Sequence, residues 1–479
     1  MSVRQSLVYS FMDRYAGLAL GIASSMAIAR LLTPTEVGIF SVVMALLALV
    51  TTVRDLGAGQ YLLQQKDLTN EQVKSVWAVQ LGLGSLLALL ALAASWPAAH
   101  FYRDPRIQPI MALLALNYLI NPIGSITYAW LMREMRFGAL AWGRFSGSLL
   151  GAVVSVGLAW AGYGPISLAW GSLASTVANA IVLSAFRPQH FPWLPGLRHV
   201  REVLAFGSRL TGASVLTTIA AGAPEFFLAR LQSLAAAGFY SRANGLIAMF
   251  RSLVSDAVNA VSLPFFAKAA RDKRDLPEAF TRVQAYMTAV GWSFCLVALV
   301  LAYPLIRVLY GDQWDAAVPL ARWLALAMLF QIPVGTCHTA LVSTGAAHRL
   351  LRSTAWQSLF VLLAVALGAG FSLEVLAAAM VPAAAFSLVV WLWQVQAHLG
   401  LNLRSLVASQ ARSAGVAVCS ALGPIGCVAA MGLTPTQTWL QLMLAIPLAA
   451  LGFVLGCLLL RHPLANELQG LWAKLRRRR

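Results

Sequence analysis

The chain repeats a short pattern: Ala29–Phe40 reads ARLLTPTEVGIF, and Ala229–Tyr240 reads ARLQSLAAAGFY. The two stretches are 200 residues apart, and Ala, Arg, Leu and Gly coincide in them. Upstream, SFMDRYAG at Ser10–Gly17 matches AFGSRLTG at Ala205–Gly212 with an offset of 195 residues. Self-similarity at a long, nearly constant offset predicts a chain made of two equivalent halves.

The later copy carries five extra residues, because the offset grows from 195 to 200 between the two matches. These residues lie around Ala220–Phe226 and include Pro224. Proline removes a backbone donor and clashes with the preceding turn, so we expect the helix to be kinked or broken there. Weaker matches continue the repeat, at Tyr102-Arg103-Asp104 against Tyr310-Gly311-Asp312 and at Pro122 against Pro333.

The composition excludes an ordinary water-soluble enzyme. Of the 479 residues, 59% are hydrophobic and 11% are charged, and the mean hydropathy is +0.73. Soluble domains carry about 25% charged residues, and a disordered chain needs low hydrophobicity. Since a membrane-spanning helix takes about 20 apolar residues, we predict an all-α polytopic membrane protein with about 14 transmembrane helices. The predicted spans are 9–32, 37–63, 76–95, 107–132, 140–162, 165–186, 203–231, 238–265, 283–306, 317–344, 350–370, 373–397, 409–431 and 438–460.

Positive charge is distributed unevenly between the loops. The net charge is +18, from 35 Lys and Arg against 17 Asp and Glu. With the N-terminus placed inside, 24 of the 35 lie in inner loops and three, Arg103, Arg106 and Arg307, lie in outer loops. Cytoplasmic loops of membrane proteins carry such an excess. We therefore predict a multi-pass protein of the cell inner (plasma) membrane with cytoplasmic N- and C-termini, and no nucleic-acid partner.

Two copies of six spans, followed by two appended helices, account for this layout. An even number of spans returns the chain to its starting side, so the copies form parallel repeats related by a pseudo-two-fold along the membrane normal. We predict helices 1–6 at 1–190, helices 7–12 at 191–400, and helices 13 and 14 with a basic cytoplasmic tail at 401–479.

Two connections carry helix-start signals, and tryptophans lie near the ends of spans. Thr33-Pro34-Thr35-Glu36 is a capping-box pattern with Pro at the first helical position, so it predicts the start of helix 2. Thr434-Pro435-Thr436-Gln437 predicts the start of the last helix in the same way. We expect the tryptophans at these span ends to lie at the membrane interface; they include Trp96, Trp142, Trp314 and Trp439.

No sequence motif predicts an enzyme. The phosphate-loop pattern GxxxxGK[ST] is absent, and Gly82-Leu83-Gly84 lacks the third glycine of a dinucleotide site. The seven His are scattered, and no two of the five Cys form a CxxC pair, so a metal site or a disulfide framework has little support. We predict a protein that is not an enzyme and uses no cofactor or metal.

Arginines within the spans are the most unusual feature of the sequence. An Arg at the bilayer centre costs about 2.5–3.5 kcal/mol on insertion scales, so such residues need water or partners. Arg14 matches Arg209 near the inner ends of their helices, and Arg30 matches Arg230 near the outer ends. Paired guanidinium groups suit an anionic cargo such as a phosphate, and the alternative is snorkelling to the headgroups. The predicted cationic substrate-binding residues are Arg14, Arg30, Arg54, Arg209, Arg230, Arg242 and Arg251.

Acidic residues within or near the spans are fewer. They are Asp13, Asp55, Glu225 and Asp256. Each is either a counter-ion for a neighbouring Arg or a protonatable coupling group. Glu225 follows Pro224 inside the five-residue insertion, and discontinuous helices often mark transport sites, so Glu225 is the preferred coupling candidate.

Neutral polar residues form stripes on several predicted helices. Asn117, Asn121, Ser125 and Tyr128 lie on one face of span 4, because they follow helical spacing. Span 10 carries Gln331, His338 and Thr339. These groups either bind sugar hydroxyls or form hydrogen bonds between helices. The predicted sugar contacts are Asn117, Asn121, Asn244, Asn259 and Gln331.

One stretch resembles a known family. Asp13-Arg14 in the first span and ARLLTPTEVGIFSVVMALLALVTTVRDLGAGQYLLQ at Ala29–Gln64 are similar to Wzx-type polysaccharide and O-antigen flippases. These proteins belong to the multidrug/oligosaccharidyl-lipid/polysaccharide (MOP) exporter superfamily. The match is clearest in helices 1 and 2, and the layout of 14 helices extends it over the whole chain.

The resemblance implies two six-helix lobes in a V-shaped arrangement around a cationic cavity. It implies flipping of an undecaprenyl-diphosphate-linked oligosaccharide from the inner to the outer leaflet, driven by an ion gradient. Related lipid II flippases use charged residues in helices 1, 2 and 8, where Arg14, Arg54 and Arg251 lie here. Helices 13 and 14 match a pair that forms a groove for the lipid tail. The scarcity of acidic residues here leaves the coupling ion open.

Two other functions remain open from the sequence. A drug or metabolite antiporter of the same superfamily would carry acidic cavity residues, which the arginine surplus disfavours. A membrane scaffold for a polysaccharide assembly complex would tolerate charge substitutions across helices 1, 7 and 8. The expected partners are the lipid-linked oligosaccharide, the lipid bilayer, and the polymerase and glycosyltransferases of the same pathway.

Overall fold

Helices make up the fold, because the apolar runs are long enough to satisfy every backbone group internally. The computed structural model describes residues 3–55, 59, 61, 62, 69–187, 194–249, 251, 266, 275–432 and 437–466, with side chains described except at 3–14, 53, 55, 206–213 and 403. No strand occurs in these ranges. The helices are α1 Val3–Leu31, α2 Pro34–Asp55, α3 Asn70–Tyr102, α4 Ile107–Arg133, α5 Phe137–Trp160, α6 Ile166–Ala185, α7 Val200–Leu231, α8 234–249, α9 Leu276–Val300, α10 Ala302–Tyr310, α11 Ala317–Ser343, α12 Ala347–Gly368, α13 Leu373–Leu399, α14 Leu403–Met431 and α15 Thr438–Leu459.

Eleven helices of the described part are long and apolar enough to cross a membrane. The other three predicted spans, 9–32, 203–231 and 238–265, contain residues that the structure does not describe in full. The predicted all-α polytopic membrane class is therefore confirmed, and a count of 14 spans is consistent with the described helices.

The chain divides into two compact units, Met1–Gly238 and Phe239–Arg479. In the first unit α1 packs on α5, α2 packs on α7, and α4 packs on α3 and α6. In the second unit α9 packs on α11 and α14, α13 packs on α11 and α12, and α14 packs on α15. The predicted regions 1–190, 191–400 and 401–479 describe sequence repetition, and they remain a prediction.

The sequence repeat has a counterpart in local structure. The residue after α3, Arg103, has a φ of +57°, and its match Gly311 after α10 has a φ of +99°. Helices α4 and α11 then follow, and they contain the matching prolines Pro122 and Pro333. Both copies therefore have a residue of positive φ before a proline-containing helix, although the conformations differ: Arg103 has a ψ of 35° and Gly311 a ψ of 177°.

The first turns of α2 and α8 cross at two matching glycines. A Cβ atom built on Gly38 would overlap the carbonyl oxygen of Leu234 and lie 3.1 Å from the amide nitrogen of Gly238. A Cβ atom built on Gly238 would overlap the carbonyl oxygen of Pro34 and lie 3.1 Å from the amide nitrogen of Gly38. Each glycine thus meets its own repeat equivalent, and only a residue without a side chain fits at either position.

Small residues also join α5 to α6. Gly147 and Gly151 lie one turn apart on α5, and a Cβ atom on Gly151 would lie 2.9 Å from the carbonyl oxygen of Gly171. In membranes, small residues at this spacing allow close van der Waals packing of helix backbones. The α5–α6 pair is held by this packing.

Three local predictions can be compared with the structure. The capping box before α2 is confirmed, because the Thr33 amide donates to Glu36 Oε2 at 2.8 Å and the Glu36 amide donates to Thr33 Oγ1 at 3.3 Å. The helix is not broken at Pro224, since α7 continues through it to Leu231, and a kink there stays a prediction. The predicted start at 434–437 lies mostly outside the described residues.

The four tryptophans differ in burial, and their placement at the membrane interface stays a prediction. Trp96, Trp142 and Trp439 are exposed. Trp314 is fully buried and packs against Phe239 and Tyr310. Its large ring fills the core around the turn after α10.

Candidate functional site

Two arginines flank the α2–α8 crossing. Arg30 lies in the last turn of α1 and Arg230 lies in the last turn of α7, each eight residues before a crossing glycine. Both side chains are exposed. Because the glycines meet, the repeat brings these two guanidinium groups to the same end of the first unit.

Aromatic rings surround Arg230. Its guanidinium carbon lies 4.9 Å from the centre of the Phe101 ring. Phe101 and Tyr102 both contact Phe226, with ring centres 5.8 Å apart in each pair. Sequence reasoning missed this cluster, because Phe101 and Phe226 come together only through packing of α3 on α7. A guanidinium group that stacks on an aromatic ring through its face can still donate hydrogen bonds to an anion from the N–H groups at its edge.

Arg54 lies deeper in the same unit. It is half-buried in the last turn of α2, with its guanidinium carbon 5.7 Å from the centre of the Tyr118 ring. The Tyr118 hydroxyl donates to the Leu47 carbonyl oxygen at 2.8 Å and lies 3.2 Å from Thr51 Oγ1. This network joins α2 to α4 and fixes the ring on which Arg54 rests.

Arg242 lies in an aromatic box in the second unit. The guanidinium carbon is 5.4 Å from the centres of both the Tyr310 and the Trp314 rings, and the side chain is half-buried. A cation between two rings is stabilised where it lies. Arg242 thus packs against two rings, and its role in binding substrate stays a prediction; Arg251, further along the chain, is exposed.

The remaining charged candidates differ in how far the structure describes them. Arg14 and Asp13 lie on α1, Arg209 lies on α7 and Asp55 ends α2, but their side chains are outside the described residues. Asp256 lies wholly outside the described residues, as does the neutral candidate Asn259.

Glu225 is a buried carboxyl group on α7. Its side chain is 9% exposed, and Oε2 has no hydrogen-bond partner among the described residues. No Lys, Arg or His of the described ranges forms an ion pair with it. Within those ranges Glu225 is therefore not held as a counter-ion. One helical turn further on, Arg230 instead contacts Phe101.

Neutral polar candidates fall into two groups. On α4, Asn117 donates to Ser172 Oγ at 3.1 Å, while Asn121 is half-buried. Asn244 on α8 is exposed, and Gln331 on α11 is half-buried. Gln331 forms no hydrogen bond with any described residue, unlike Asn117.

Metal ligands are not grouped in the described ranges. No cluster of three or more His, Cys, Asp or Glu that could hold a metal ion occurs there. The chemistry that these residues offer is binding of anions and hydroxyl groups, with one buried carboxyl group beside the arginines.

Solved structures define the class of fold. The chain superposes on "Lipid II flippase MurJ, inward closed conformation" with a TM-score of 0.78 at 12% identity, covering 94% of this chain and 99% of the other. A MATE family multidrug resistance transporter of the MOP superfamily, in its inward-facing conformation, gives a TM-score of 0.63 at 15% identity and covers 82% and 98%. The protein is a multi-pass membrane protein with the fold of this superfamily.

Sequence comparison defines the family. The family model described as "Polysaccharide biosynthesis protein" matches residues 27–319, and the chain belongs to this family. It is 26% identical over 343 residues to the succinoglycan biosynthesis transport protein ExoT of Rhizobium meliloti (strain 1021), covering 70% of this chain and 68% of ExoT. It is 22% identical over 326 residues to the lipopolysaccharide biosynthesis protein WzxC of Escherichia coli (strain K12), covering 67% and 66%. The expected resemblance to Wzx-type proteins of the MOP superfamily is thus confirmed.

Proposed function

We propose that the protein flips an undecaprenyl-diphosphate-linked oligosaccharide from the inner to the outer leaflet of the plasma membrane by alternating access. Family membership and the names of the relatives support a role in export of polysaccharide precursors. The uneven loop charge supports cytoplasmic N- and C-termini. The enzymes that make and polymerise the repeat unit are the expected partners in the pathway.

The observation that carries this proposal is the placement of Arg30 and Arg230. Both residues are exposed and end matching helices, each eight residues before one of the two glycines that meet at the α2–α8 crossing. A diphosphate carries at least two negative charges, and each planar guanidinium group can donate two parallel hydrogen bonds to it. Arg14 on α1, Arg54 on α2 and Arg209 on α7 extend the cationic set within the same unit in our proposal.

Glu225 is the group that we propose to couple transport to an ion gradient. A buried carboxylate without a cationic partner is costly, so the carboxyl group binds a proton or a small cation. Moving one elementary charge across 100 mV supplies about 2.3 kcal/mol. Binding and release of that ion on opposite sides would provide work without ATP hydrolysis.

A reconstitution assay tests the proposal. The full chain is placed in liposomes that contain lipid-linked oligosaccharide, and the sugar that becomes accessible to a membrane-impermeant enzyme is measured with and without a proton or sodium gradient. We expect gradient-dependent movement that falls at least tenfold in a double Arg30→Ala, Arg230→Ala variant.

Arg106→Ala is the matched control for loss of positive charge. Arg106 forms an ion pair with Asp104 at 2.8 Å, and this hydrogen bond holds the pKa of the Asp104 carboxyl below its usual value. The pair stabilises the turn between α3 and α4, so its loss should leave movement of the lipid intact. Absence of movement under every gradient would contradict the proposal.

A further inference from the structure

Hydrogen bonding separates two polar stripes that look alike in the sequence. On α4, Asn117 donates to Ser172 Oγ and Ser125 donates to Gln80 Oε1 at 2.7 Å. These bonds join α4 to α6 and α3, so this stripe contributes to helix packing. On α11, Gln331 and His338 form no such bonds with described residues.

Gln331 and His338 form the α11 stripe. They are seven residues apart and therefore lie on the same face of the helix. Gln331 is half-buried and His338 is exposed, and neither forms a hydrogen bond with a described residue. Towards the N-terminal end the same face carries Leu324 and Ala327, which are both buried, so the polar exposed part is confined to the C-terminal half of α11.

The position of the His338 ring is set by packing. Its centre lies 5.8 Å from that of Trp391 on α13. Trp391 is fully buried, and its Nε1 donates to Gln357 Oε1 at 3.0 Å. The His338 imidazole therefore packs against the Trp391 ring, and its ring nitrogens form no hydrogen bond with a described residue.

Two unpaired polar side chains on a membrane-spanning helix require water or a ligand. Facing hydrocarbon, each would lose its hydrogen bonds to water at a cost of several kcal/mol. Helix α11 is also the most buried of the eleven candidate spans in the described part. We therefore expect Gln331 and His338 to face an aqueous space rather than lipid.

We propose that Gln331 and His338 form a saccharide subsite that binds hydroxyl groups of neutral sugar units in the cargo. An amide and a neutral imidazole each offer a donor and an acceptor, which suits neighbouring hydroxyl groups. Both residues lie in the second unit. This inference rests on the proposed flippase function and adds to it the recognition of the sugar.

Cysteine labelling tests whether the stripe faces water. In a variant whose native cysteines are replaced by alanine, His338→Cys should react with a water-soluble maleimide added to the reconstituted protein. Val389→Cys is the control, because Val389 on α13 is 65% exposed but apolar and should face lipid without reacting. An unreactive His338→Cys with an intact fold would overturn the inference.

Binding measurements test what the stripe recognises. We compare undecaprenyl diphosphate with undecaprenyl diphosphate carrying one neutral hexose, using the full chain in nanodiscs. The wild type should bind the glycosylated lipid about tenfold more tightly, as expected for two or three neutral hydrogen bonds, and a Gln331→Ala, His338→Ala variant should lose this preference. Ser125→Ala is the matched control, since it removes a hydrogen bond between helices and should keep the preference.

The outcomes separate the two proposals. If the wild type binds both lipids equally, or the double variant keeps the preference, the saccharide subsite is wrong and the flippase proposal stands. If the wild type binds neither lipid, the flippase proposal fails, and the subsite fails with it.

Discussion

At the scale of single residues, the arginines of the predicted membrane-spanning segments have different environments. Arg30 and Arg230 are exposed, Arg54 is half-buried over Tyr118, and Arg242 lies between two rings. A sequence shows only that each Arg lies in an apolar run. Whether an Arg side chain is available to bind substrate or packs inside the protein depends on residues that are distant in sequence.

Arg242→Gln should lower stability. The change removes the cation between Tyr310 and Trp314, and two cation–π contacts should contribute about 1–2 kcal/mol together. Thermal unfolding of the purified protein in detergent measures the effect. Unchanged stability with lost lipid transport would show instead that Arg242 contacts the cargo.

Glu225→Gln should abolish the response of transport to the ion gradient without lowering the stability of the protein. Because Glu225 is buried without an ion pair to a described residue, the isosteric amide should fit without loss of stability. Transport should no longer respond to the gradient, as measured in liposomes. The control is Glu36→Gln, which also removes one negative charge but keeps the capping box with Thr33. A gradient response that survives in Glu225→Gln would contradict the coupling role.

At the scale of helices, contacts between backbones hold several pairs together. Glycines allow α2 to cross α8 and α5 to lie against α6. Such contacts depend on shape, because lipid removes the hydrophobic driving force between helices. Added volume should therefore disturb them more than a change in polarity.

Gly38→Ala should destabilise the protein by about 1–3 kcal/mol, the usual cost of overpacking. Even one methyl group would overlap the Leu234 carbonyl oxygen, so α2 and α8 must move apart. The unfolding temperature and lipid transport should both fall. Gly82→Ala on α3 is the control, since a Cβ atom there meets nothing within 4 Å. Equal behaviour of the two variants would show that the crossing tolerates separation.

The end of α15 should be sensitive to pH. His462 is buried; its Nδ1 accepts from the Leu464 amide at 3.2 Å and its Nε2 lies 3.2 Å from Ser413 Oγ. Burial, with a smaller effect of Arg412, holds the pKa of His462 below the ordinary value of 6.5. Below pH 6.5 His462 is protonated in the unfolded chain before it is protonated in the folded chain. The contribution of neutral His462 to the free energy of unfolding is therefore complete above pH 6.5 and is lost as the pH falls below it.

Thermal unfolding between pH 5 and pH 8 measures this effect. The wild type should lose stability below pH 6.5, and His462→Asn should show a smaller loss over the same range. His348→Asn, on an exposed histidine of α12, is the control and should retain the wild-type slope. A wild-type slope in His462→Asn would contradict the assignment to His462.

At the scale of the whole molecule, orientation is the property that follows most directly from charge. Reporter fusions after residue 466 and within the 187–202 loop should both report the cytoplasm, while a fusion near Arg103 should report the opposite side. The physical reason is the excess of Lys and Arg in the inner loops. A cytoplasmic signal near Arg103 would contradict the predicted topology.

Much of the fold could be predicted from the sequence, and less of the site. Apolar runs located most helices, although some ends differ by up to two turns, such as Tyr102 against a predicted end at 95. Thr33 and Glu36 predicted the cap of α2, because this signal is local. The aromatic box around Arg242 and the Phe101 ring beside Arg230 could not be predicted, since they depend on packing between distant helices. Pro224 did not break α7, because a proline inside a helix removes one backbone hydrogen bond without necessarily ending the helix.

The meeting of Gly38 with Gly238 is an isologous contact inside one chain, of the kind that two identical subunits make across a dimer axis. A single six-helix half, paired with a second copy of itself, would already have this contact, with one glycine codon serving both sides. Joining the halves into one polypeptide would leave the contact in place while freeing each side to change alone. The residues around the two glycines differ, with Thr-Pro-Thr-Glu on one side and Ser-Leu-Ala-Ala on the other, as expected if each side can change alone.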